Sequence, residues 1–230
     1  MSRQTYRIIL AVVPLIILAI GFAYDSLQKP EQGAVKSVAV QGSPAIDALN
    51  SLPIKGKAPK TGYSRSQFSD GWARSGNCDV RNVILGRDMT EVVTKSATDC
   101  TVMQGKLHDP YTNTDIAFVR TNSEAVQIDH VIALSDAWQT GAQQITADQR
   151  HNLANDPLNL LAVDGPTNQK KSDSDAASWL PPNKDYRCQY IARRIAVKVK
   201  YQLWITQADY NTSKSILEKC PSQILPVVNS

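Results

Sequence analysis

The chain has 230 residues, of which 42% are hydrophobic and 20% are charged, and its formal net charge is +4. This composition is ordinary for a soluble globular protein and excludes wholesale disorder. The length is sufficient for one domain with a proper core and additional segments. The weakly basic balance indicates a polyanionic partner only faintly, so the function has to be inferred from local patterns.

The N-terminal segment predicts export. Arg3 and Arg7 precede an uncharged apolar run from Ile8 to Tyr24, which is the pattern of a secretory signal peptide. The run is slightly shorter than the roughly 20 residues that span a bilayer, and both a cleaved signal and a retained membrane anchor stay open. In both cases the arginines place the rest of the chain outside the cytoplasm. We therefore predict a secreted or extracytoplasmic membrane-anchored protein, with the signal or anchor over 1–24 and a linker over 25–44.

Beyond this segment, the sequence predicts an α+β domain over 45–222, followed by a short tail over 223–230. A short helix is predicted within 44–54. Strands over 100–107 and 115–120 flank the turn-rich sequence "HDPYTNT", as in a hairpin. The remaining predicted elements are strands over 125–134 and 158–163 and helices over 135–142, 146–155, 164–179, 186–204 and 207–219.

The cysteines predict disulfide bonds. The chain has four, Cys78, Cys100, Cys188 and Cys220, and an even number in an exported protein favours two disulfides. Loop closure favours the local pairs Cys78–Cys100 and Cys188–Cys220, although the sequence leaves all three connectivities open. A structural zinc site is the weaker alternative, because no two cysteines have C-x-x-C spacing.

A basic stretch lies in the predicted helix over 186–204. It predicts either a solvated helix face, which is the more common arrangement, or a surface that faces phosphate groups. The cations, which have no acid among them, are Arg187, Arg193, Arg194, Lys198 and Lys200.

The sequence "IDHVIAL" over 128–134 places Asp129 and His130 side by side within an otherwise apolar strand. A charged or titratable side chain there costs free energy unless it is paired, exposed at an edge or bound to a metal. Two further polar residues follow in order, Asn159 on the returning strand in "PLNLLAV" and Asn168 near the start of a helix in "PTNQKKSD". The motif therefore has the order strand, strand, helix.

This order of residues resembles the ββα-metal site of the HNH, or His-Me finger, nucleases. Longer stretches strengthen the likeness, among them "CDVRNVILGRDMT", "NDPLNLLAVDGPTNQKKSDSDAASWLPP" and "YRCQYIARRIAVK". Together they resemble the exported HNH endonuclease family of bacteria, which is similar to the C-terminal HNH domain of GmrSD-type restriction endonucleases. The resemblance implies a ββα-metal core with an additional N-terminal hairpin and C-terminal helices, cross-linked by disulfide bonds.

The resemblance also implies a role for each motif residue. Asp129 and Asn168 are expected to bind one divalent metal, and His130 is expected to be the general base that takes a proton from water. An ordinary histidine pKa of about 6.5 suits that role. Asn159 is expected to orient the loop that carries the histidine. Oxygen donors favour Mg²⁺ or Mn²⁺, one per site, over the zinc or nickel expected where relatives carry histidine in place of Asn168.

Three cations are expected to contact the substrate. Lys170 and Lys171 lie on the same helix as the second metal ligand, where they are placed to hold flanking phosphates. Arg120 closes the strand before the histidine-bearing one, and a phosphate contact and a surface salt bridge are equally open for it. The other histidines, His108 and His151, are expected to be a turn residue and a surface residue.

The sequence therefore predicts a secreted or surface-tethered, metal-dependent HNH endonuclease that hydrolyses phosphodiester bonds in DNA, with RNA as an open second substrate. The predicted partner is nucleic acid, and no protein partner is predicted. Two alternatives use the same scaffold: a non-catalytic extracellular nucleic-acid-binding protein and a structural envelope domain. Nucleic-acid affinity that falls steeply with salt would distinguish the first of these from the second.

Overall fold

The computed structural model describes residues 42–226. The predicted export segment over 1–24 lies outside the described residues, as does the predicted linker over 25–44 apart from its last three residues. Within the described part of the chain, no helix is both long and apolar enough to cross a bilayer.

Over residues 42–226 the chain folds into a mixture of helices and strands. The helices are α1 (Ala45–Ser51), α2 (Val80–Asp88), α3 (Leu134–Ala137), α4 (Ala147–Asn155), α5 (Gly165–Lys171), α6 (Arg187–Lys200) and α7 (Gln207–Leu217). The strands are β1 (Arg74–Ser75), β2 (Cys78–Asp79), β3 (Thr90–Ser96), β4 (Asp99–Asp109), β5 (Thr114–Val119), β6 (Val126–His130) and β7 (Leu160–Asp164). Shorter helical segments are the 3₁₀ turns Arg65–Gln67 and Arg120–Ala125 and the π-helical segment Trp138–Ala142.

The strands β3, β4 and β5 form one antiparallel sheet in chain order. The pairing of β4 with β5 ends where Asp109 lies opposite Thr114, which confirms the predicted hairpin and its turn. The sequence does not predict β3, because its side chains are nearly all exposed and lack the buried alternation that identifies a strand. The expected N-terminal hairpin is therefore part of a three-stranded sheet.

The predicted order strand, strand, helix is present in β6, β7 and α5. In the antiparallel β6–β7 hairpin, Asp129 lies opposite Leu161 and His130 opposite Leu160. The helix α5 follows β7 directly, and the Asp164 side chain caps it by accepting a hydrogen bond from a backbone N–H of its first turn. This geometry places the predicted motif residues on two paired strands and the helix that follows them.

Two predicted elements are shorter than expected. The predicted strand over 125–134 ends at His130, because the chain turns into α3 at Leu134. The predicted helix over 164–179 ends at Lys171, since Ser172 has a positive φ of 51° that a right-handed helix does not accommodate. The predicted helices within 44–54, 146–155, 186–204 and 207–219 are confirmed as α1, α4, α6 and α7.

The β6–β7 hairpin lies between two hydrophobic clusters. Val126 and Ala162 belong to the smaller cluster, with side chains of α2, β4 and β5, whereas Leu161 belongs to the larger cluster around α6. Side chains alternate between the two faces of a strand. Asp129 and His130 therefore point to opposite faces of the hairpin, and each meets a different set of neighbours.

The cations of the basic stretch on α6 do not form one surface: Lys200 is exposed, as predicted for a solvated face, but two others lie in the interior. Arg194 and Lys198 are buried. The Arg194 guanidinium lies 3.0 Å from Asp209 and 3.6 Å from Asp136, and Lys198 Nζ lies 3.8 Å from Asp136. Buried cations need such partners, because an unpaired charge is costly away from water. The other cations contact backbone carbonyls or an acid: Arg187 contacts Pro181, Arg193 contacts Pro157, Leu158 and Leu160, and Lys200 contacts Asp156.

Disulfide bonds join Cys78 to Cys100 and Cys188 to Cys220, which confirms both local pairs. The first ties β2, which directly precedes α2, to β4, and the second ties α6 to the segment after α7. The domain extends past the predicted boundary at residue 222, because Leu225 is buried and its backbone N–H donates to the Ser43 carbonyl oxygen.

Candidate active site

His130 lies at the end of β6 and is buried, with 7% of its surface exposed. Its Nε2 is 2.8 Å from the Ala154 carbonyl oxygen, and its ring stacks on the Trp72 indole with the ring centres 5.8 Å apart. A carbonyl oxygen only accepts hydrogen bonds, so Nε2 carries the proton and the neutral imidazole keeps its lone pair on Nδ1. Among the described residues, Nδ1 has no hydrogen-bond partner.

The surroundings of His130 keep its ring neutral. Burial lowers the pKa of His130 to about 4, and the positive charge of the nearby Arg65 acts in the same direction. At pH 7 the ring is therefore in the form that accepts a proton.

Asp129 lies on the opposite face of β6, where it is buried and both of its oxygens are occupied. Lys171 Nζ is 2.8 Å from Oδ1, and the Tyr111 hydroxyl is 2.6 Å from Oδ2. Lys171 is itself fully buried and also donates to the His130 carbonyl oxygen. The prediction that Lys171 contacts substrate phosphates is therefore wrong, because its ammonium group neutralises a buried carboxylate instead.

Asn159 connects the two segments that hold the histidine in place. Its Oδ1 accepts a hydrogen bond from the Ile132 backbone N–H at 2.8 Å, and its Nδ2 donates to the carbonyl oxygens of Ile132 and Leu153. Leu153 adjoins Ala154, whose carbonyl oxygen binds the His130 ring. The asparagine thereby fixes both the backbone that follows the histidine and the end of α4 that orients the ring.

Asn168 lies on α5, half-buried, and its Nδ2 donates to Gln127 Oε1 at 2.9 Å. Gln127 and Asp129 are two residues apart on β6 and share one face of the strand, while Lys171 is nearly one helical turn beyond Asn168. The contacts Gln127–Asn168 and Asp129–Lys171 are therefore successive steps along one interface between β6 and α5. The structure brings Asp129 and Asn168 to the same interface but gives each a different partner.

This arrangement of donors does not fit the metal site that the resemblance implies. Each Asp129 oxygen already accepts one hydrogen bond, from the Lys171 ammonium or from the Tyr111 hydroxyl, so a cation shared with Asn168 would have to bind a remaining lone pair beside a buried positive charge. Over residues 42–226, no three His, Cys, Asp or Glu side chains are grouped as metal ligands. Metal binding by Asp129 and Asn168 stays a prediction from the resemblance.

A cavity of about 470 Å³ lies beside the motif, and Gln127 and Asn168 form part of its wall. Arg65 from the first 3₁₀ turn, Arg81 from α2 and Arg120 from the end of β5 converge on it. We call it the arginine cavity. The sequence does not predict a role for Arg65 or Arg81. Arg65 lies in the irregular segment "KGKAPKTGYSRSQF" and Arg81 in the short apolar segment "VRNVILG", and neither segment belongs to the strand, strand, helix motif. The remaining lining residues are Ser123, Glu124 and Ile128.

The other predicted substrate contacts have different surroundings. Arg120 Nη1 donates to Asn82 Oδ1 and to the Val102 carbonyl oxygen, both at 3.2 Å, and has no carboxylate partner in the described part of the chain. The surface salt bridge predicted as one alternative for Arg120 is therefore wrong, and the phosphate contact stays a prediction. Lys170 is exposed, and its contact with phosphate also stays a prediction.

Comparison with known proteins places the chain in a family. Residues 79–212, more than half of the chain, match the family described as GmrSD restriction endonucleases, C-terminal domain. A protein of Arthroderma benhamiae named "Uncharacterized secreted protein" is 37% identical over 180 residues, which cover 77% of this chain and 85% of that protein. This relative is fungal, so the likeness is not confined to bacteria. No solved structure matches the chain significantly. The chain therefore belongs to the family of C-terminal domains of GmrSD restriction endonucleases.

Proposed function

We propose that this domain is an endonuclease that hydrolyses phosphodiester bonds in nucleic acid, with His130 as the general base. The observation that carries the proposal is the state of the His130 ring. It is neutral, is held through Nε2 by the Ala154 carbonyl oxygen, and has an unpartnered Nδ1 within the described structure. Membership of a family of restriction endonuclease domains supports the same class of reaction.

In the proposed reaction, Nδ1 of His130 takes a proton from a water molecule. The water oxygen forms a bond to phosphorus, and the bond between phosphorus and one ester oxygen breaks. That oxygen leaves and is protonated by solvent. A phosphate beside the ring stabilises the imidazolium, so substrate binding raises the pKa of His130 and strengthens it as a base. Asn159 keeps the ring in one orientation through its contacts on both sides.

We propose DNA as the substrate and export as the location. Arg3 and Arg7 before an apolar run support export, and the name of the Arthroderma benhamiae relative as a secreted protein supports it too. The disulfides are typical of proteins that work outside the cytoplasm. A cleaved signal and a retained anchor are both compatible with this proposal.

A second candidate is a nucleic-acid-binding domain without turnover. Two observations favour it: the His130 ring is covered on one face by Trp72, and both oxygens of Asp129 are occupied by Lys171 and Tyr111. Water must reach Nδ1 at the ring edge for hydrolysis to proceed. This candidate predicts binding of DNA with no cleavage under any ionic condition.

Nicking of supercoiled plasmid by the purified full-length chain separates the two candidates. The reaction is run with Mg²⁺, with Mn²⁺ and with a chelator, so that it also tests the predicted metal dependence. The chain offers a matched pair of variants, His130→Ala at the proposed base and His151→Ala at an exposed position on α4. Removal of a general base should slow nicking at least about 100-fold, and His151→Ala should leave the rate unchanged.

A His130→Ala protein that nicks plasmid at the wild-type rate contradicts the assignment of the base. A wild-type protein that binds DNA and never nicks it, in all three ionic conditions, supports the domain without turnover. Nicking that survives the chelator contradicts the predicted need for Mg²⁺ or Mn²⁺.

A further inference from the structure

We infer that the arginine cavity binds a backbone phosphate of the nucleic acid next to the bond on which His130 acts. This inference rests on the proposed function for the class of ligand, and it assigns Arg65 and Arg81 as substrate-binding residues. It makes the cavity a positioning site for the substrate backbone rather than part of the reacting centre.

The charge balance of the cavity favours an anion. Three guanidinium groups, those of Arg65, Arg81 and Arg120, reach it from separate elements. The acid in its wall is Glu124, whose Oε2 accepts a hydrogen bond from Gln127 Nε2 at 2.9 Å. Three positive charges around a space with one acid therefore leave an excess of positive charge.

Arg81 has guanidinium donors that no described side chain or backbone group uses. It is half-buried, and burial together with the neighbouring charge of Arg120 lowers the pKa of its guanidinium, while the charges of Asp79 and Glu124 act in the opposite direction. Arg81 and Arg120 both line the cavity, so their like charges repel, and an anion bound in the cavity reduces that repulsion. Neither Arg65 nor Arg81 makes a side-chain hydrogen bond or ion pair within residues 42–226. Their N–H donors are available for a phosphate, which a guanidinium can bind with two parallel hydrogen bonds.

The site is built by the fold before any ligand binds. Asn82, which follows Arg81 on α2, accepts hydrogen bonds through its Oδ1 from the Val102 backbone N–H at 2.9 Å and from Arg120. The Cys78–Cys100 disulfide ties β2, which directly precedes the same helix, to β4. These contacts hold two of the arginines relative to each other, which reduces the entropy that ligand binding would otherwise remove.

The position and size of the cavity indicate which phosphate it takes. Asn168 and Gln127 line it and belong to the motif interface, and Ile128, which also lines it, lies two residues before His130 on the same face of β6. Its volume of about 470 Å³ lies within the roughly 300–1,000 Å³ of sites that bind small molecules. This space accommodates a phosphate with part of the adjoining sugar.

Fluorescence anisotropy with labelled oligonucleotides tests the inference on the full-length chain. The probes are duplex DNA, single-stranded DNA and RNA of equal length, measured over a range of salt in the presence of chelator, with a gel to confirm that they stay intact. The variants are Arg81→Gln and Arg65→Gln. The control is Lys214→Gln, which removes the same charge from α7, an element that does not line the cavity.

Loss of one phosphate contact should lower the slope of log affinity against log salt by about 0.9 for duplex DNA and weaken binding roughly tenfold at low salt. Arg65→Gln changes an exposed side chain, so it keeps the test valid if Arg81→Gln folds poorly. An arginine variant with the affinity and the slope of Lys214→Gln overturns the inference. So does a sulfated polysaccharide that binds the wild type as tightly as the nucleic acids and loses affinity equally in Arg81→Gln.

The plasmid assay distinguishes a failure of this inference from a failure of the proposed function. Binding that depends on Arg81 in a wild-type protein that never nicks DNA supports the arginine cavity and rejects the hydrolase. Nicking that depends on His130, with binding indifferent to both arginines, rejects the cavity alone.

Discussion

Replacement of Lys171 by methionine should destabilise the domain strongly. Lys171 Nζ lies 2.8 Å from Asp129 Oδ1, and relative exposure of the two side chains is 0% and 5%. The change leaves a buried carboxylate with the Tyr111 hydroxyl as its remaining donor, and it also removes the donor to the His130 carbonyl oxygen. Removal of one partner from a buried ion pair costs about 3–5 kcal/mol, because the other charge stays in the interior uncompensated.

Urea unfolding of the disulfide-intact protein, followed by tryptophan fluorescence, measures this loss in the free energy of unfolding. The neighbouring Lys170 is exposed, so Lys170→Met is the matched control and should change the free energy by less than about 0.5 kcal/mol. The double variant Asp129→Asn with Lys171→Met should recover about 2 kcal/mol relative to Lys171→Met, since no buried charge is then left unpaired. If Lys171→Met is as stable as Lys170→Met, the buried ion pair and the argument against a preformed metal site at Asp129 are both wrong.

Three further predictions concern His130, Gly165 and the disulfides. The unfolded chain protonates His130 below a pH of about 6.5 and the folded protein only below about 4, so the unfolded state binds more protons in between. As pH falls from 7 to 4, the free energy of unfolding measured in urea should therefore decrease by about 3 kcal/mol more for the wild type than for His130→Gln. The same pH dependence of stability in both proteins would refute the burial of the ring. A Cβ at Gly165 would overlap the Glu124 carbonyl oxygen, so Gly165→Ala should lower the free energy of unfolding by about 1–3 kcal/mol. A Cβ at Gly86 on α2 meets no atom, so Gly86→Ala should leave stability unchanged or raise it, as measured by thermal unfolding. Equal effects of the two alanines would contradict this packing. The disulfides close separations of 22 and 32 residues, so removal of either pair by serine should cost about 3–4 kcal/mol. Only the loss of Cys78–Cys100 should also weaken oligonucleotide binding, and equal binding by both serine pairs would argue against its role in holding Arg81.

Much of the local structure could be predicted from the sequence. The β4–β5 hairpin forms around a turn whose residues specify it, and α4 begins at a Thr146 capping box formed with Gln149. The disulfides join cysteines that are near in sequence. The strand, strand, helix order around Asp129 and His130 also follows from short segments. These features depend on contacts between residues close together in the chain, and the pattern of side chains records them directly.

The tertiary structure decided the surroundings of the motif residues. Lys171 could be a surface cation or a buried partner of Asp129 until α5 packs on β6. The cations of α6 likewise look like an exposed stripe, although Arg194 and Lys198 meet acids from other elements in the interior. The arginine cavity unites residues from three separate elements.

The residue order of this chain thus determined its local elements, its disulfide pairs and the family to which it belongs. The burial of His130, the occupation of Asp129 and the arginine cavity were decided only by the folded structure. The physical reason is that the energy of a charged or titratable side chain depends on its distance from other charges and from water. Those distances are set by segments that are far apart in the sequence, and no local pattern encodes them.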